Sequence, residues 1–157
     1  MAAMWDSKNF IVESVENPHV TRTDGGHIVI RPKVAVTDRT KLSPSLAIEL
    51  ARLTIVAGAA MEKAMNARGV DIGRINYQDN GNWSVFRPEG PVLHIHLYGR
   101  AKSAKIQKYG DALHFPHRET GFYKDCEPLN AGDAAAIAKE MKNIFQRAQY
   151  SDKNWGL

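Results

Sequence analysis

Pro91-Val92-Leu93-His94-Ile95-His96-Leu97-Tyr98-Gly99-Arg100 is the stretch that decides the fold. Apolar and polar side chains alternate along it, the period of a β-strand with one buried face and one open face. Leu93, Ile95 and Leu97 belong to the core side, while Val92, His94, His96 and Tyr98 line the other. Residues two apart on a strand stand about 7 Å apart, so two imidazoles at that spacing both reach a phosphate or a metal ion. A site on a sheet surface is the first expectation. The bland alternative for an isolated His-x-His is a pair of partly exposed strand histidines that hold nothing.

Upstream, residues 8–15 have strand character, broken by Asn17-Pro18. Asp24-Gly25-Gly26 is a turn signal, and His27-Ile28-Val29-Ile30-Arg31 follows as a β-branched strand that Pro32 ends or confines to an edge. Ser43 and Pro44 together form a helix start, with Pro at the position where its missing N–H costs nothing. Leu46, Leu50, Leu53, Ala57, Ala60, Met61 and Ala64 recur at helical spacing, and Gly69 closes the run, so a helix is expected over about 44–67. Met61 and Met65 are ordinary core residues of that helix. Residues 70–78 return to strand character, Asp79-Asn80-Gly81-Asn82 turns, and Trp83-Ser84-Val85-Phe86 alternates again. Arg87-Pro88-Glu89-Gly90 feeds the histidine strand. Residues 101–129 carry little periodicity, and an excursion of that length is either functional or mobile. A last helix over 131–148 begins with Asn130 as its cap and Asp133 three residues on. The expected class is α+β: a single domain, residues 1–157, with an antiparallel sheet, one long helix and a C-terminal helix.

The chain of 157 residues is long enough to bury a real core. Its net charge of +4 suits an anionic small ligand but equally an ordinary protein, and no Lys/Arg block is dense enough to suggest nucleic acid. No apolar run comes near the length that crosses a bilayer, and no secretory leader opens the chain. Cys126 is the only cysteine, which excludes an internal disulfide and makes a reducing cytoplasm the expected compartment.

The histidine strand resembles the motif of the histidine triad family, three histidines alternating with apolar residues. The likeness extends upstream. Asp24-Gly25-Gly26-His27-Ile28-Val29-Ile30-Arg31-Pro32-Lys33 resembles the family's Gly-His-apolar-apolar-apolar-x-Pro-Lys strand, and the long helix, Ile75-Asn76-Tyr77 and the closing Gly-Arg follow in family order. The resemblance covers about residues 20–100 and implies a histidine triad-like fold. It implies a nucleotide hydrolase or nucleotidyl transferase acting at the α-phosphorus of a purine nucleotide, often a two-fold homodimer pairing through the long helix and adjoining strands. It needs no metal or cofactor.

Carried over, the family makes His94 the nucleophile that forms a nucleotidyl–imidazole intermediate, which water then cleaves. Its other ring nitrogen would donate to a backbone carbonyl of the strand. His96 takes the position that contacts phosphate and assists leaving-group protonation, His27 lines the same pocket, and Asn76 lies near phosphates or ribose. Imidazole chemistry agrees with those roles: a neutral ring is a competent nucleophile at cellular pH, and a protonated neighbour steadies negative charge.

Val92 stands where the family's first motif histidine would be. If that histidine only supports its neighbour, activity survives; if it is required, the chain is a catalytically silent nucleotide-binding module. Arg87-Pro88-Glu89-Gly90 replaces the family's small phosphate-binding loop, leaving the Gly90 N–H and Arg87 as substitutes beside an unhelpful Glu89. Tyr98 shares the histidine face and is a candidate ligand contact or a packing residue. Trp83 and Phe86 either stack on a base or cap the core. His114 and His117 offer two readings, a pocket wall or dimer contact, or a metal site with His94 and His96 in a small metal-dependent enzyme. Cys126 reads as an incidental thiol.

Overall fold

The computed structural model describes residues 3–84 and 86–157. Five strands, β1 (Ala3–Asp6), β2 (Phe10–Ser14), β3 (His27–Pro32), β4 (Ile72–Gln78) and β5 (Ile95–Ala101), form one sheet in the order β1-β2-β3-β5-β4. Every neighbouring pair is antiparallel. With the helices α1 (Pro44–Ala67), α2 (Ala131–Phe145) and α3 (Asp152–Trp155), the class is α+β, as expected.

Helix α1 covers one face of the sheet. The Ser43 Oγ accepts the Leu46 N–H at its start, and Gly69, at φ +84°, follows its end. Leu53, Val56, Ala57, Ala60 and Met61 pack from α1 into a core shared with Ile28, Ile30, Ile95 and Leu97. The expectation of no apolar run near bilayer length needs correction. By length and composition α1 is apolar enough to cross a bilayer, although nearly half of its apolar stretch is buried inside the fold. Its alanines supply that hydropathy while leaving room for close packing on the sheet.

Three other expectations change. The first strand is shorter than 8–15, and β1 precedes it, held by pairing with β2 and by the Lys33–Asp6 ion pair. Trp83, Ser84 and Phe86 are not in a strand: a 3₁₀ turn spans Gly81–Ser84, closed by Trp83 N–H to Asn80 O (3.2 Å) and Ser84 Oγ–H to Gly81 O (2.9 Å). Val85 lies outside the described residues. The last helix stops at Phe145 rather than 148, because Arg147 turns to an extended conformation before α3. Its start is as expected: Asn130 and Asp133 form a reciprocal capping box. The Asp133 carboxylate, fully buried, also takes Arg22 and Arg68, each Nε–H at 2.5 Å.

Residues 101–129 form a wall over the second face of the sheet rather than a free loop. The buried Asp24 carboxylate accepts the N–H groups of Lys105, Ile106 and Gln107, each at 2.8 Å. Buried Arg100 donates to Lys108 O (2.6 Å) and Asp111 O (2.8 Å). Gln107, itself buried, donates to His114 O and His19 O and accepts the His114 N–H. Covered by α1 on one side and by this wall on the other, β5 is buried along its whole length.

Candidate active site

Strand β5 and the four residues before it carry the site. The Leu93 N–H donates to Val36 O (2.6 Å), which ties this segment to the chain after β3. Leu93, Ile95 and Leu97 turn into the core, so His94 and His96 emerge on the opposite face, ring centres 4.6 Å apart. His27 sits at the start of β3, whose pairing with β5 sets it opposite Tyr98 and brings its ring 5.0 Å from His96. The Gly25 turn that leads into His27 presses on Gly99, where a Cβ on either glycine would strike the other's backbone. That close approach lets β3 and β5 meet at the depth that brings the His27 ring against His96 and Tyr98.

Hydrogen bonds assign each ring its tautomer. The His94 Nδ1–H donates to Val92 O (2.7 Å), leaving the Nε2 lone pair free. The His19 backbone N–H donates to His27 Nδ1 (3.2 Å), so His27 carries its proton on Nε2 and donates to His96 Nδ1 (2.8 Å). His96 therefore carries its own proton on Nε2. Burial holds His96 down to about 3, with the His94 and His19 rings adding to the shift. Burial also keeps His27 well below its ordinary value, helped by its histidine neighbours and Arg118. In the free site His96 is thus a neutral N–H donor, not the cation that the sequence suggested, because the ring is desolvated against other imidazoles.

Next to the histidines lies a cavity of about 570 Å³, lined by His19, Trp83, Arg87, Phe115, Pro116, His117, Arg118, Glu119 and Tyr123. Its walls are aromatic and its cations are two guanidiniums. Arg118 packs over Tyr123 at 5.1 Å and donates to Asn17 O (2.7 Å).

The structure gathers His27, His94 and His96 and puts Arg87 on the cavity. Asn76 on β4 pairs with Tyr98, and Gln78 with His96, so both share the histidine face. Of the two readings of Tyr98, ligand contact or packing residue, its burial fits packing: it is wholly buried under the rings, and its hydroxyl lies 3.0 Å from His19 Nδ1. The Gly90 N–H is spent within its own turn on Arg87 O (2.9 Å) and is no phosphate donor. Trp83 reaches the cavity, whereas Phe86, 97% exposed, caps no core. His117 lines the cavity, but His114 is exposed with its ring against Phe122. Among the described residues no three His, Cys, Asp or Glu side chains converge to hold an ion, so the four-histidine metal site does not form. Burial raises the Cys126 thiol pKa, which suits an inert thiol.

His19 was not legible in the sequence. It sits in the Pro18-flanked break between β2 and β3, with no periodic partner. Gln78 and Asn80 had a signal: with Asn76 they alternate as polar residues leading out of β4, on the face that the histidines share. Gln78 Oε1 and Asn80 Nδ2 are buried without hydrogen-bond partners among the described residues.

Known structures align along most of this chain. A histidine triad nucleotide-binding protein from Sulfolobus tokodaii superposes with a TM-score of 0.59 at 13% identity, covering 93% of this chain and 87% of its own. A zinc-bound histidine triad family protein from Mycobacterium smegmatis gives 0.57 at 19% identity, over 92% and 87%. A Hit-like protein from Bartonella henselae involved in cell-cycle regulation, solved with an unknown ligand, gives 0.56 at 13%, over 88% and 84%. The chain has the histidine triad fold. The sequence matches no protein-family model and no curated protein.

Proposed function

We propose that this chain is a nucleotide hydrolase or nucleotidyl transferase acting at the α-phosphorus through His94. The observation that carries this is the Nδ1–H of His94 bonded to Val92 O, which leaves an unshared pair on Nε2 beside a neutral N–H donor, His96. The Nε2 pair forms a bond to phosphorus, and the leaving group departs with its bonding electrons and takes a proton from water. A second water then adds to phosphorus and gives a proton to the hydroxide that the first left behind. The P–N bond breaks, its electrons return to Nε2, and a nucleoside monophosphate is released. His96 Nε2–H bonds a phosphate oxygen throughout. Because His27, buried and neutral, can only pass on a hydrogen bond, His96 acts as an oriented donor rather than as a proton source.

The valine at position 92 is compatible with this chemistry, since His94 uses the backbone carbonyl there and not a side chain. The competing reading, a nucleotide-binding module without turnover, draws on the same valine and on the spent Gly90 N–H. Protein incubated with an adenosine phosphoramidate and quenched in base is expected to carry a nucleoside monophosphate adduct on the peptide holding His94. His94→Ala is expected to lose that adduct and on the order of 10³-fold or more in turnover. Thermal stabilisation by nucleotide with neither adduct nor turnover would favour the silent module.

The homodimer is part of the same proposal. Strand β4 is a sheet edge, and its Tyr77 and the neighbouring Ile55 of α1 are 49% and 45% exposed. An unpaired edge next to exposed apolar side chains favours a second copy of the chain. Sedimentation at micromolar concentration is expected to give twice the 17.5 kDa chain mass, and Tyr77→Glu to give a monomer.

A further inference from the structure

We infer that His19 is a specificity-determining residue, presenting an Nε2–H donor to the cavity that reads a ring-nitrogen acceptor on a purine base. The inference rests on the nucleotide reading above and adds to it the residue that reads the base.

Three observations lead there. First, the ring is held from behind. Its Nδ1 faces the hydroxyl of buried Tyr98 at 3.0 Å, and its backbone carbonyl accepts from Gln107 Nε2 (3.2 Å), which also grips His114 O (2.8 Å). One side chain thereby ties His19 to the wall that carries Phe115. Second, the tautomer is determined. Burial keeps the Tyr98 phenol far above its ordinary pKa, so the hydroxyl carries its hydrogen. His19 Nδ1 is the hydrogen-bond partner of that buried hydroxyl and no other is found among the described residues, so the phenol hydrogen is satisfied only by donating to it. The imidazole then carries its own hydrogen on Nε2, on the far side of the ring from Tyr98, and Nε2 has no partner among the described residues. Burial, together with the Arg118 charge, holds His19 down to about 4, so near neutral pH it is an uncharged donor.

Third, the surroundings suit a flat ring. Trp83 and Phe115 stand edge-on to His19 at 5.7 and 5.4 Å, and Tyr123 lies at 5.3 Å. The guanidiniums of Arg87 and Arg118 line the same cavity and suit phosphate oxygens. A neutral N–H among aromatic walls is better matched to a neutral acceptor on a stacked base than to a phosphate. A donor left unpaired when an analogue lacks that acceptor costs about tenfold in affinity.

Calorimetric titration of the wild-type chain with AMP, 7-deaza-AMP, 3-deaza-AMP and 2′-deoxy-AMP tests this. One deaza analogue is expected to bind about tenfold more weakly than AMP, with 2′-deoxy-AMP close to AMP. In His19→Phe, which keeps an aromatic ring but no donor, AMP and that deaza analogue are expected to bind alike. Equal binding of AMP and both deaza analogues overturns the inference while leaving the nucleotide reading standing, as does a loss confined to 2′-deoxy-AMP. Absence of any AMP binding overturns both.

Discussion

In the proposed mechanism His27 acts on chemistry it never touches. It is 1% exposed, accepts from the His19 backbone, and donates to His96, so its work is to hold the proton of His96 on the nitrogen that faces out. His27→Ala leaves that buried acceptor unpaired and is expected to lower kcat about tenfold with KM nearly unchanged. His27→Gln, which can restore an N–H donor, is expected to recover most of the loss, and an unchanged kcat in the alanine variant would show that the bond does not matter. At this scale the sequence was partly informative. His94 and His96 declare themselves because a two-residue period puts both on one face whatever else the chain does. His19 does not, since its position depends on a bond from its backbone N–H to the His27 ring eight places on and on Gln107, 88 residues later.

Among the elements, the contact between the Gly25 turn and Gly99 on β5 is the one that the histidine layer depends on. Gly25 has φ +128°, and a Cβ on Gly99 would meet the Gly25 backbone rather than a yielding side chain. Gly99→Ala is expected to cost about 1–3 kcal/mol, read from the urea midpoint, with loss of turnover where the two strands are forced apart. Most element boundaries follow local chemistry: Ser43-Pro44 opens α1, the capping box opens α2, and the turn at Asp24-Gly25-Gly26 leads into β3. Trp83, Ser84 and Phe86 did not follow the alternation of their segment, because Asn80, Gly81 and Ser84 satisfy the backbone within a turn before any strand partner is reached. Strand β1 was missed for the opposite reason: four residues too short to show a period are ordered by pairing with β2.

For the molecule as a whole, the buried imidazoles couple folding to pH. The unfolded chain protonates His19 and His96 as pH falls through about 6.5, while the folded chain keeps them neutral until about 4 and 3. Between those limits the unfolded state binds more protons, so stability rises with pH and is lost as the solution is acidified. The urea midpoint is expected to fall steadily from pH 7 to pH 4.5, and to fall less steeply in His19→Phe. A midpoint independent of pH over that range would mean that the rings take up protons without resistance in the native state.

The sequence by itself determined the α+β class, the long helix with its caps, and the pair of imidazoles on one strand face, because periodicity and capping act over a few residues. The pairing order of the strands, the tautomer of each ring, the spent Gly90 N–H, the burial of Tyr98 and the cavity beside His19 were decided only by the tertiary structure. Each depends on a hydrogen bond or a desolvated surface shared between segments far apart in the chain, and such partners leave no trace in local spacing.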